Sequence, residues 1–385
     1  MTFTPAQRLA GIEKSVIRQI YDRAPAGSIN LGLGEPDFST PTVIRDEAIR
    51  FIRTEKIRYT PNAGLIELRR AIAGYYGDES KYEGVCVTNG SQEALFVALM
   101  ALIDAGDEVL LPDPGFVAYP TIVRLAGGKP VFYKLPAKYE FQLSVEDFKR
   151  KISGETRAVI VNSPSNPTGS VLPPIDFACV ARLLAGSEII VIADEIYQEI
   201  YFDRRPSSMA DFWPHTLVIS GLSKSHAMTG WRLGWIYGDP EIVRHLTVLH
   251  QYATTCASTI SQRAALAAFT AEGGAAAENL RIELRARRDF LVEQIDTQLA
   301  EFKLKRIIPD GAFYLMLDVS RFGKSFEVAE RLLSNKVIAI PGAAFGEEAE
   351  GWLRLSFATD FDTICEGVRR IKQGLLQKFS RMNSE

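Results

Sequence analysis

TLVISGLSKSHAMTGWRLGW, residues 216–235, opens on an apolar run and closes on an aromatic, glycine-rich one, with Lys224 in the turn between them. Ser220, Gly221 and Ser223 mark that turn, and Arg232 follows eight residues after the lysine. A lone lysine is by default a solvated surface charge. The flanking runs argue instead for a partly buried amine, and a desolvated amine loses its proton readily enough to attack a carbonyl carbon.

Upstream, short apolar runs alternate with longer helical patterns: VCVT (85–88), DEVLLP (107–112), KPVFYKL (129–135), RAVIVNSP (157–164) and EIIVIADE (188–195). Strands this apolar are covered on both faces, and their alternation with helices predicts a mostly parallel α/β sheet. Polar and turn residues cluster just after several of these runs, where open α/β sheets bind ligands. The texture changes near residues 280–300, where NLRIELRARRDFLVEQIDTQL reads as one long charged amphipathic helix leading out of a large domain. Beyond it, FYLMLDV (313–319), VIAIPG (337–342) and WLRLSFA (352–358) predict the strands of a smaller α+β domain, against which an N-terminal arm packs.

Composition narrows the function classes. The 385 residues are 46% hydrophobic and 24% charged, the balance of a soluble globular chain with material for one large and one smaller core. The 44 basic and 47 acidic residues are interspersed, so no basic block offers a footprint for nucleic acid. No stretch approaches the roughly 20 apolar residues of a membrane span. The N-terminus, MTFTPAQRLAGIEKSVIRQIY, carries scattered charges rather than a signal-peptide core, so a cytoplasmic location is expected. Cys86, Cys179, Cys256 and Cys365 lie far apart without CxxC spacing, which reads as reduced cysteines and no metal site.

Four other segments carry candidate chemistry. In TNGSQEALFVALMALI (88–103), Gly90 and Ser91 precede a strong helical pattern, which makes either an anion cradle at a helix N-terminus or a simple cap by Ser91. EIIVIADEIYQEIYF (188–202) delivers Asp194 to the end of a buried strand, where a carboxylate needs a cationic partner or a helix to cap. VNSPSNPTGSV (161–171) fixes Asn166 between two prolines, limiting the entropy its amide loses on binding. WLRLSFA places Arg354 on an alternating strand with Leu353 and Leu355 facing the other way, and a guanidinium fork suits a carboxylate.

SGLSKSHAMTGWRLG resembles the cofactor-lysine signature of the class I/II aminotransferases, pyridoxal 5'-phosphate (PLP) enzymes of fold type I. The other motifs stand in the family's order from LGLGEPDFSTP (31–41) to WLRLSFA, nearly the whole chain. The resemblance implies a large domain with a mainly parallel seven-stranded sheet between helices, plus a small α+β domain. The expected division is an arm and part of the small domain over 1–44, the large domain over 45–283 and the small domain over 284–385.

The same resemblance assigns roles. Lys224 would be the Schiff-base lysine and the proton carrier of transamination between an L-amino acid and a 2-oxo acid such as 2-oxoglutarate or pyruvate. Gly90, Ser91, Gln92 and Arg232 would hold the phosphate together with one serine of the lysine turn, Ser220 or Ser223, of which Ser223 is the choice; Asp194 would hold the pyridine nitrogen, and Tyr197 and Asn166 the phenolic oxygen. Phe116, in DPGFVAYP, would stack on the ring, with an ordinary core aromatic as its alternative. Tyr59, in IRYTPNAGLIELRRAI, matches a tyrosine that reaches the phosphate of the neighbouring subunit, implying a homodimer with shared active sites. Arg354 would grip the substrate α-carboxylate, assisted by Asn166 and the backbone at Gly34, a glycine whose bland alternative is a turn conformation. The chain departs from the pattern at Gly221, where many members carry serine, and no basic residue can be placed for a distal carboxylate. A carbon–sulfur β-lyase on the same fold shares these residues. A non-catalytic sensor would need a DNA-binding domain for which there is no room before residue 30, and TNGSQEA does not supply the GxGxxG of a dinucleotide-binding dehydrogenase.

Overall fold

Apolar runs that cannot be left in water, separated by helices that can cover them, leave one economical arrangement: a sheet buried on both faces. The computed structural model describes residues 4–382, with side chains through residue 377; residues 1–3 and 383–385, the outer ends of the first and last expected domain segments, lie outside the described residues. Its strands are β1 (Ile29–Asn30), β2 (Val85–Thr88), β3 (Glu108–Asp113), β4 (Lys129–Lys134), β5 (Thr156–Asn162), β6 (Ile190–Asp194), β7 (Thr216–Gly221), β8 (Gly234–Tyr237), β9 (Arg306–Ile307), β10 (Tyr314–Asp318), β11 (Val337–Ile338), β12 (Ile340–Pro341) and β13 (Trp352–Ser356).

The large sheet has seven strands in the order β2-β8-β7-β6-β5-β3-β4. All its pairs are parallel except those of β8, which runs antiparallel to both β2 and β7. Every residue of β6 and β7 is buried. Ile160, Ile192 and Ile219 are fully enclosed, and such side chains contribute about 1.5–3 kcal/mol each. The register then does chemical work, because Asn162 pairs with Asp194 and Asp194 with Ile219. The carboxyl ends of β5, β6 and β7 therefore deliver three functional loops to one edge.

The antiparallel β8 was not expected. Its four residues follow a glycine-rich turn directly, so period and length gave no strand signal apart from the aromatic run. VIAIPG, expected as one strand, divides: β11 pairs parallel with β1, while β12 pairs with β13. The chain there leaves one sheet and enters another. The second sheet has the order β12-β13-β10-β9. The amphipathic pattern near 280–300 is the end of a longer helix, Ala271–Gln298, whose Leu280, Leu284, Leu291 and Ile295 enter the same core as β10 and β13.

Candidate active site

At the carboxyl ends of β5, β6 and β7 the structure opens a cavity of about 940 Å³. Lys224 lies in it because β7 ends at Gly221 and the following turn swings the lysine inward. Its Nζ donates to the Gly34 carbonyl at 2.6 Å. Burial, helped by Arg232 and Arg354 against the pull of Glu35, lowers its amine to about 8.

Asp194 lines the same cavity, at the end of β6. Tyr119 donates to its Oδ2 at 2.6 Å, and the Ile196 N–H reaches its Oδ1 at 3.4 Å. Burial lifts its carboxyl to about 6, opposed by those two donors and by Lys224. The capping alternative for Asp194 therefore finds little support, since its stronger bond is to a side chain. Asn162 fixes the strand ends from below: its amide donates to the Asp194 carbonyl at 2.8 Å, and its Oδ1 accepts the Asn166 N–H at 2.8 Å.

The cradle at the helix Ser91–Leu102 has Gly90 as its N-cap, with φ +89°, and Ser91 as its first helical residue. No side-chain cap bond is present there, so Ser91 is not the capping residue. The Glu93 N–H donates to the Gly90 carbonyl at 3.1 Å, whereas those of Ser91 and Gln92 precede any intrahelical acceptor and, with the helix dipole, favour an anion. Arg232 reaches the same place. A Cβ on Gly90 would sit 2.5 Å from its guanidinium, so only glycine lets the arginine close over the loop. Arg232 itself has φ +53° and donates to the Thr229 carbonyl at 2.9 Å. Glu93 braces the loop from behind by accepting the Asn89 backbone N–H at 2.5 Å.

Arg354 is 1% exposed, on a strand buried on both faces rather than alternating between core and solvent. One of its nitrogens donates to Asn166 Oδ1 at 2.7 Å, another to the Gly32 carbonyl, and its Nε has no partner among the described residues. The guanidinium lies 4.2 Å from the centroid of Tyr314, whose hydroxyl meets that of Tyr197 at 2.8 Å. Gly34 is glycine because a Cβ there would strike the Tyr314 hydroxyl, not because a turn demands positive φ.

The cavity thus brings together Gly34, Ser91, Gln92, Phe116, Asn166, Asp194, Tyr197, Ser223, Lys224, Arg232 and Arg354, with Gly90 directly behind Ser91. Phe116 packs edge-on against Tyr119. Ser220 faces away and donates to the Glu195 carbonyl. Tyr59 is not brought in: it is 86% exposed, outside the lining of its own chain's cavity. Sequence reading missed Tyr119, Asn162 and Tyr314. Each had a faint signal, being three residues after Phe116, four before Asn166, and on the first position of β10.

A buried carboxyl, a buried guanidinium with an unsatisfied nitrogen, a softened lysine and an anion cradle are chemically suited, in turn, to a ring nitrogen, a carboxylate, an aldehyde and a phosphate. The sequence profile of "Aminotransferase class I and II" matches residues 26–371. The chain belongs to the class I and II aminotransferases. This aminotransferase is 37% identical to the probable aspartate aminotransferase of Methanocaldococcus jannaschii, covering 96% of this chain and 99% of that one. It is 36% identical to the probable N-acetyl-LL-diaminopimelate aminotransferase of Bacillus subtilis, over 92% of this chain and 91% of that one. Among solved structures, the Thermus thermophilus aspartate aminotransferase with maleate superimposes with a TM-score of 0.91 at 33% identity, covering 97% of this chain and all of that one. The aminotransferase therefore has PLP fold type I, depends on PLP, and transfers an amino group from an amino acid to a 2-oxo acid. Among the described residues no helix is long and apolar enough to cross a membrane.

Proposed function

We propose that the 940 Å³ cavity is the transamination site and that its residues divide the work as follows. Gly90, Ser91, Gln92, Ser223 and Arg232 hold the cofactor phosphate, and Asp194 carries the charge opposite a protonated ring nitrogen. Tyr197 and Asn166 bond the phenolic oxygen, Phe116 covers the ring, and Arg354 grips the substrate α-carboxylate with Asn166 and the Gly34 backbone beside it. Bound PLP supplies the electron sink that lets an amino group pass between two carbon skeletons.

Lys224 would hold the cofactor covalently and would serve as the base that carries the Cα proton of the substrate. Its lowered proton affinity keeps a sizeable fraction of the amine neutral near pH 7–8, where it can act as a base. Asp194 and Arg354, both buried, exclude water from the charges they meet, which strengthens each contact. The carrying observation is that Lys224, Asp194, Arg354 and the Ser91 helix end face one cavity although they come from four separate parts of the chain.

The same reading extends to a homodimer in which Tyr59 completes the neighbouring site; its exposure to solvent in the single chain supports this. It also extends to the division at residues 44 and 283, supported by the β1–β11 pairing that ties the N-terminal segment to the C-terminal part, and to a cytoplasmic enzyme of amino acid biosynthesis. The test is a half-reaction screen: purified holoenzyme mixed with single L-amino acids, followed by the absorbance change to the pyridoxamine form, then regeneration with 2-oxoglutarate or pyruvate. Lys224→Ala is expected to bind PLP yet show no turnover. Substantial transamination by that variant would refute the assignment.

A further inference from the structure

Asp113 closes β3 and is 8% exposed, yet it is not among the residues that line the catalytic cavity. The nearby Lys134 does not neutralise it, being paired with Glu348 at 2.6 Å. Burial lifts the Asp113 carboxyl to about 6, opposed by the Glu348 N–H, which leaves an ionised acceptor near neutral pH. A buried carboxylate without a counter-ion is costly, so the groups it does meet matter.

Its Oδ1 accepts the Glu348 N–H at 3.2 Å. Glu348 sits in the single helical turn Glu347–Ala349, which carries no side-chain cap of its own, so β3 supplies the acceptor from a distant part of the sequence. Gly346, at the head of that turn, has φ +150°, and a Cβ there would overlap Asp113 Oδ1, so only glycine lets the carboxylate close on the turn. A second bond runs alongside: the Gly115 N–H donates to the Phe345 carbonyl at 2.9 Å. The segment that leads from β3 into Phe116 is thus fastened to the segment 345–348.

This seam holds Phe345 in place. Its ring, 5% exposed, has its centroid 4.8 Å from the Arg354 guanidinium, and that of Tyr314 lies 4.2 Å away. Such contacts set the tilt of a planar cation, and a guanidinium must be aimed to take a carboxylate through two parallel N–H groups. Phe345 also belongs to a buried cluster with Ile20, Ile338 and Ile340, against which Ile17 and Val117 pack; both of these line the catalytic cavity. In a close-packed interior a shift of one such ring is passed to its neighbours.

We propose that Asp113 is a positioning residue for substrate binding: its carboxylate holds the turn after Phe345 against β3 and so keeps the Phe345 ring on Arg354. Lying outside the cavity lining, it acts on affinity rather than on the chemical step. This role rests on the reading of Arg354 as the grip on the substrate α-carboxylate.

The half-reaction of the pyridoxamine form with 2-oxoglutarate or pyruvate, followed over a range of concentrations, separates affinity for the 2-oxo acid from the limiting rate. Asp113→Ala is expected to weaken affinity about tenfold, through loss of a hydrogen bond to a charged acceptor. Its limiting rate is expected to stay within about twofold of wild type, and PLP to be retained as well on dialysis. Asp113→Asn keeps a carbonyl oxygen for the Glu348 N–H and is expected to recover most of that affinity. Gly346→Ala pushes the carboxylate off the turn, so it is expected to weaken affinity likewise, and Asp113→Ala added to it brings no further loss because both open one seam. Wild-type affinity in a folded Asp113→Ala or in Gly346→Ala, no recovery in Asp113→Asn, strictly additive losses, or an equal fall in limiting rate and PLP retention would each overturn the role given to Asp113. Arg354→Lys is the control. If it binds the 2-oxo acid normally, the reading of Arg354 itself fails, whereas weak binding there beside normal binding in Asp113→Ala removes only the role of Asp113.

Discussion

Tyr119 donates its hydroxyl hydrogen to Oδ2 of Asp194 across 2.6 Å, within the wall of the catalytic cavity. Burial works against the Asp194 carboxylate, and this bond is the largest of the effects that restore it. Tyr119→Phe removes the donor and almost no volume. A hydrogen bond to a charged group contributes about 1.5–3 kcal/mol, so kcat is expected to fall at least about tenfold while the KM for the 2-oxo acid changes little. Steady-state kinetics at pH 7.5 check this, and an unchanged kcat would show that Asp194 holds its charge without help.

Gly90 combines φ +89° with a guanidinium 2.5 Å from where a Cβ would sit. Gly90→Ala is expected to lose about 1–3 kcal/mol of stability from backbone strain alone, and to release PLP faster because Arg232 is pushed off the loop. Thermal denaturation of the apoprotein reads the first effect and cofactor retention on dialysis the second. Wild-type retention would mean that Arg232 and Gly90 do not act as one cradle.

The Lys224 amine, lowered to about 8, sets a pH dependence on cofactor capture. Only the unprotonated amine attacks an aldehyde, and below its pKa that fraction rises with pH. Capture of PLP by the apoprotein is therefore expected to accelerate about tenfold per pH unit up to about pH 8 and to level off above it. Stopped-flow absorbance across pH 6–10 measures the profile. A rate still climbing toward pH 10 would indicate an ordinary solvated lysine.

Tyr59 and Lys224 test the shared site together. Lys224→Ala and Tyr59→Ala chains, mixed and reassociated, yield hybrids in which one of two sites has both native residues. With random pairing about a quarter of wild-type turnover is expected, above that of either parent. Hybrids no better than the parents would place Tyr59 outside the partner's site.

The large sheet was legible because its strands are too apolar for any surface position, and the loops after β5, β6 and β7 were legible because glycine, proline and charge interrupt them. Lys224, Asp194 and Asn166 came from such interruptions and Arg354 from a lone charge inside the apolar β13, and the structure brings all four to one cavity. Tyr119 and Tyr314 were illegible for the converse reason: a tyrosine within an apolar run has the same pattern whether its hydroxyl meets a functional partner or merely another core group. Asn162 was hidden by the register, since its contact with Asp194 exists only once β5 and β6 are paired. Strand β8 was too short for its period to show.

The most direct measurement is chemical. Borohydride reduction of the holoenzyme fixes the cofactor to its lysine, and peptide mass spectrometry then locates the pyridoxyl group. It is expected on Lys224, one per chain, within the peptide that spans TLVISGLSKSHAMTGWR. A pyridoxyl group on any other lysine, or none on a yellow, active preparation, would contradict the assignment of this cavity.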